Sequence, residues 1–192
     1  ILRDQRPDST IGVFHDWGDF GRLVEDNVAD IKEDPGDENE TAAAAIDFIK
    51  NTKPTLTFIH LDHVDHAGHA TGWVKNNDDC LIPGGCPYVE AVEDADALVS
   101  EILTAIEDAG IQDKTAVLIS ADHGGMFLGH GGDTYDERCI PFIVMGPGVK
   151  PGLITRTPRI FDIPATAAAL LGLDTPDAWV GRPVLDAFQG YV

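Results

Sequence analysis

The chain has 192 residues, 43% of them hydrophobic and 24% charged, which is enough for one hydrophobic core of ordinary domain size. A formal charge of -20, from 33 acidic against 13 basic side chains, weighs against duplex nucleic acid or an anionic membrane surface as a partner. No apolar run approaches the ~20 residues of a membrane-spanning helix, and the expectation is a single folded domain whose acidity suits an extracellular or periplasmic setting.

Strand and helix patterns alternate along the chain, predicting an α/β fold with a largely parallel sheet flanked by helices. TIGVFH, residues 10 to 15, reads as the first strand, with an amphipathic helix expected around Phe20 to Asp26. EDPGDENET, residues 33 to 41, is a polar loop broken by Pro35 and Gly36, with Thr41 as the expected N-cap of a helix from Ala42 to Lys50. The run from Thr55 to Leu61 is β-branched, aromatic and almost continuously apolar, the pattern of a central strand buried on both faces. Residues 73 to 86 form a polar loop in which Cys80 and Cys86 flank LIPGG. A bridge between them, in an oxidising compartment, would contribute about 2 kcal/mol by closing a short loop. Residues 88 to 110 carry apolar side chains at helical spacing and stop at Gly110. Two further strands are predicted, Lys114 to Ser120 and Ile140 to Met145, with Cys139 ahead of the second as a buried thiol. IFDIPATAAALLGL, residues 160 to 173, is a helix with proline near its first turn.

The chemistry gathers where two of these apolar runs stop, in TLTFIHLDHVDHAGHATG (55 to 72) and TAVLISADHGGMFLGHGG (115 to 132). Open α/β sheets place their ligand sites in the loops beyond the carboxyl ends of strands. Asp65 and His69 stand four apart, so one helical turn puts carboxylate and imidazole on the same side. Asp62 and His66 share that spacing, and Gly68 and Gly72 favour the first pair by allowing close backbone approach around His69. In the second loop Asp122 and His123 precede Gly124 and Gly125, and His130 follows in G-H-G-G. Carboxylate and imidazole donors fit Zn²⁺, with Mn²⁺ as the alternative at an oxygen-rich site, and two ions about 3.5 to 4 Å apart would clamp an ester. His60 and His63 are expected to support ligating groups, His15 and Asp16 to be structural, and Asp133 and Glu137 to serve a turn and a helix cap.

At these residues the chain resembles the alkaline phosphatase superfamily, most closely its type I phosphodiesterase/nucleotide pyrophosphatase branch. DHAGHATG resembles the family's D-x-x-G-H-x-x-G segment, ADHGG its D-H-G segment, and GHGGDTYDERCIPFIVMGPGV the segment with its last histidine and following strand. The resemblance implies an alkaline-phosphatase-like fold and a two-zinc site acting on a small-molecule phosphate ester. Asp65, His69 and His130 would hold one ion, and Asp122 and His123 would help hold the other. It also implies a further Asp and a Ser or Thr nucleophile well ahead of Asp65; Ser9, Thr10 and Thr41 lack that context. The expectation is therefore the C-terminal portion of a larger hydrolase domain, completed by a missing N-terminal portion or a dimer partner, and nearly inactive alone. The alternatives are a sulfatase or phosphomutase of the same superfamily, or a non-catalytic metal-binding module.

Overall fold

The computed structural model describes residues 1 to 74 and 85 to 189, which form two compact units. The larger comprises Ser9–Gly110 and His123–Cys139. Its sheet has the order β2-β1-β3, built from β1 (Ile11–His15), β2 (Ile31–Glu33) and β3 (Leu56–His60), all parallel. The register sets Gly12 opposite Ile31 and Val13 opposite Phe58. Helix α2 (Glu38–Thr52) packs on this sheet, α4 (Pro87–Asp108) packs on α2, and α3 (His63–Thr71) packs on α4, in the helix and strand alternation that the pattern predicts. The strand at the centre is β1, every residue of which is buried, whereas β3 is partly exposed and pairs only with β1 among the described strands. The apolar run of β3 is instead covered on one side by the segment after β1, where Phe20 stacks on Phe58 with ring centroids 5.2 Å apart.

The core of this unit joins Ile11, Val13 and Phe14 of β1 to Ala42, Ala45 and Ile49 of α2 and to Leu98, Ile102 and Ile106 of α4. Phe14 is fully buried, and the removal of a ring of that size from water contributes about 2 to 3 kcal/mol. Helix α2 begins earlier than its apolar pattern predicts. Asp37 is the N-cap, its side chain accepting from the Glu40 N–H at 2.8 Å, and Glu38 and Glu40 place negative charge against the helix dipole. Thr41, expected as the cap, lies inside the helix and is fully buried. The segment expected to be an amphipathic helix around Phe20 is a 3-10 helix over Gly18–Leu23, too short to bury a stripe of its own.

The smaller unit comprises Ile1–Asp8, Ile111–Asp122 and Ile140–Val192. Helix α1 (Leu2–Gln5) opens it, and β4 (Val117–Ser120) pairs antiparallel with β5 (Phe142–Met145). A parallel pair needs a crossover element, and the residues between these strands contain only the four-residue α5 (Tyr135–Arg138). Val184, Ala187 and Phe188 form its core with Phe142, Val144, Val149, Ile154 and Leu170. Helix α6 (Asp162–Leu170) has Pro164 in its first turn, as predicted. Its Asp162 is 2% exposed and accepts from Arg156 Nη1 at 2.8 Å, Arg159 N at 3.0 Å and Arg182 N at 2.7 Å.

No helix among the described residues is long and apolar enough to cross a membrane. Cys80 lies outside the described residues, so the bridge expected from it does too; Cys86 is buried at the start of α4. Cys139 is exposed rather than buried, because it caps α5 with its thiol donating to Tyr135 Oη at 3.2 Å instead of pointing into the following strand's core.

Candidate metal centre

Helix α3 starts where β3 ends, and its turn places Asp65 and His69 on one face, with His69 Nε2 3.4 Å from Asp65 Oδ2. The pair with the same spacing, Asp62 and His66, also meets, at 3.0 Å, but the His66 side chain is 70% exposed. Burial pushes the Asp62 carboxyl above the usual range, against the opposing pull of His66. The glycines that favoured the first pair make room for Trp73. A Cβ at Gly68 would lie 2.3 Å from the Trp73 ring, and one at Gly125 would lie 2.2 Å from it. Gly72 ends α3 at a φ of 97°, and the next N–H, of Trp73, donates to Phe127 O at 3.0 Å.

The second loop is held by α5. Gly124 N–H donates to Glu137 O at 2.9 Å, and a Cβ there would stand 2.1 Å from Asp136 O. The Glu137 carboxylate accepts from Gly132 N at 2.8 Å and from Thr134 Oγ1 at 2.6 Å, fixing the bend that carries His130. Thr134 and Glu137 form a reciprocal capping box, the role expected of Glu137, and the bond from Thr134 is the main reason its carboxyl lies below the ordinary range.

Asp65 faces three imidazoles. Its Oδ2 meets His69, while Oδ1 lies 4.0 Å from His123 Nε2 and 3.7 Å from His130 Nε2. His123 and His130 stack with ring centroids 3.7 Å apart. Two of the tautomers are set by carbonyls, which can only accept: His69 Nδ1–H donates to Leu128 O at 3.0 Å, and His123 Nδ1–H donates to Gly124 O at 2.9 Å. Each Nε2 lone pair is thereby directed toward Asp65. Asp65 Oδ1 is buried and has no hydrogen-bond partner among the described residues, a costly arrangement for a carboxylate. A cation held by Asp65, His69 and His130, with His123 adjoining it, would satisfy that oxygen, and the donor set suits zinc.

Asp122 is not one of these four residues. It is exposed and ends the strand β4 segment of the smaller unit. Tyr88 was not anticipated from its place in an amphipathic pattern. Burial and then the negative charge of Asp65 raise the pKa of its hydroxyl, which keeps a protonated phenol near the carboxylate. Phe127, 77% exposed, holds a φ of 56°, a strained value for an aromatic residue, at the turn whose next carbonyl orients His69.

The profile of the type I phosphodiesterase / nucleotide pyrophosphatase family matches residues 9 to 136. A phosphopentomutase from Methylobacterium sp. (strain 4-46) is 38% identical over 95 residues, which are 50% of this chain and 21% of that protein. Human arylsulfatase K is 29% identical over 104 residues, 51% of this chain and 19% of its own. This chain therefore spans about a fifth of the length of these relatives. In fold it is similar to the lipoteichoic acid synthase LtaP from Listeria monocytogenes, with a TM-score of 0.67 at 20% identity, covering 97% of this chain and 55% of that one.

Proposed function

This chain belongs to the type I phosphodiesterase / nucleotide pyrophosphatase family, within the alkaline phosphatase superfamily, and on that premise we propose that it supplies most of the metal ligands of a zinc-dependent phosphoric ester hydrolase. Asp65, His69 and His130 hold one ion, and Asp122 and His123 contribute to a second. The observation that carries the reading is Asp65, whose buried Oδ1 lacks a hydrogen bond while three imidazoles surround the carboxylate. Zinc bound there supplies charge to polarise a phosphoryl oxygen and lowers the pKa of a bound hydroxyl. The rest is the work of this chain's residues. Leu128 O keeps His69 in the tautomer that can ligate, and Glu137 holds the His130 bend through Gly132 and Thr134. Tyr88 offers a protonated hydroxyl near Asp65. The nucleophile and the remaining second-site carboxylate come from outside these residues, as the family pattern requires, and the substrate is a small phosphate ester.

The names of the relatives, a phosphopentomutase and an arylsulfatase, keep two neighbouring chemistries in view. The full-length protein, stripped with a chelator and reloaded with zinc, is expected to release nitrophenol from p-nitrophenyl phosphate. Turnover of p-nitrophenyl sulfate alone would move the assignment to a sulfatase. No turnover of either by the zinc-loaded protein would leave a metal-binding module or a mutase.

A further inference from the structure

A second group of donors lies in the larger unit and shares no residue with the set assigned above. Asp16 follows the end of β1, Glu38 is the first residue of α2, and His63 is the first residue of α3. One ligand atom from each lies within 4.8 Å of the other two. Three elements distant in sequence thus converge with two carboxylates and an imidazole.

The geometry points to a cation site here, for a divalent ion of the zinc and manganese class. The Asp16 side chain is only 4% exposed, and its Oδ1 accepts from Asp62 N–H at 2.7 Å, which holds the carboxylate in place. His63 Nε2–H donates to Ala91 O at 3.0 Å. A carbonyl can only accept, so in the neutral ring this bond leaves Nδ1 as a lone pair. That Nδ1 is buried and has no hydrogen-bond partner among the described residues, and it is the nitrogen left for the two carboxylates. No ion pair within 4.0 Å joins His63 to Asp16 or Glu38 among the described residues, so the three donors approach without closing on one another. Bonds of about 2.1 Å set the ligands of a tetrahedral ion roughly 3.4 Å apart, and the three ligand atoms here lie within 4.8 Å of one another before any ion draws them in. A carbonyl-oriented imidazole with carboxylate neighbours is the usual construction of a ligating histidine. Such an ion would tie the first turns of α2 and α3 to the end of β1, and so fix the helix that carries Asp65 two residues beyond His63.

The test uses the full chain, dialysed against a fixed free zinc concentration and analysed for bound metal. Both Glu38→Gln and His63→Gln are expected to lose one equivalent of zinc relative to the unmodified chain. Asp65→Asn combined with His69→Asn is expected to retain that equivalent, which separates this site from the one proposed for catalysis. In the unmodified chain, zinc is expected to shift the ¹⁵N resonance of His63 Nδ1 while Nε2 keeps its proton; this readout needs no variant to fold. Unchanged stoichiometry in folded Glu38→Gln and His63→Gln, or a His63 Nδ1 resonance indifferent to saturating zinc, would overturn the site.

Discussion

Asp65→Asn is expected to weaken zinc binding by ~100-fold or more, roughly 3 kcal/mol, in competition with a chromogenic chelator. The same variant is expected to leave the metal-free chain as stable in urea as the parent, or slightly more stable. The two effects have one origin. Asp65 Oδ1 accepts no hydrogen bond from the described residues, so the substitution removes a partly buried charge without orphaning a donor among them. The same oxygen is the one that His123 and His130 approach through Nε2, at 4.0 and 3.7 Å, and a bound cation would take it as a ligand. A residue there for fold stability would behave the other way round, losing stability on substitution while zinc affinity held. Unchanged chelator competition in Asp65→Asn would remove Asp65 from the ligand set.

The larger stability effect is expected at Asp162. Asp162→Ala should cost about 3 kcal/mol in urea unfolding at neutral pH, since it strips the acceptor from Arg156 and from the N–H groups of Arg159 and Arg182 at once. Thr166 belongs to the same construction, donating its hydroxyl to Asp162 O at 2.7 Å and accepting from Val184 N–H at 3.0 Å. The loss should therefore spread to the cluster of Val184, Ala187 and Phe188. Burial alone would raise the Asp162 carboxyl, but the bonds from Arg182, Arg156 and Arg159 outweigh it and hold its pKa below the ordinary range. A carboxyl with a depressed folded pKa stabilises the fold above its unfolded pKa, about 4, and the contribution is lost as pH falls through the lower folded value. The parent should thus lose part of its stability in acid, and the gap between parent and Asp162→Ala should narrow at the acid end. A gap that stays constant from neutral pH to pH ~2 would show that the carboxylate charge plays no part.

Much of the centre was legible because its logic is local. Asp65 and His69 meet through a single helical turn, and Gly68, Gly72, Gly124 and Gly125 announce backbone that must pass close to something. What they pass close to was not legible: the Trp73 ring opposes both Gly68 and Gly125 across 57 residues of sequence, a contact no periodicity encodes. The α/β pattern and the long helix α4 were readable from spacing, whereas strand position was not. An apolar run such as β3 is equally consistent with a central strand or with one covered by a neighbouring aromatic, and Phe20 supplies that cover here. Asp162 went unread as an anchor, and Asp16 was legible as structural but not by its partner, since a carboxylate's partners are set by tertiary structure. The antiparallel pairing of β4 and β5 depends on a connection too irregular to reveal strand direction.

The indole that fills the space between the two loops carrying the candidate ligands also gives the chain an optical property. Trp73 meets His69 edge-on with ring centroids 5.0 Å apart and His130 at 6.0 Å, while the other two tryptophans, Trp17 and Trp179, are 42% and 38% exposed. Any change in the electronic state or tilt of those imidazoles is felt by a fluorophore packed directly against Gly68 and Gly125. Trp73 emission would report occupancy of the centre without a label or a substrate, so that loading can be followed as a spectroscopic isotherm independent of turnover.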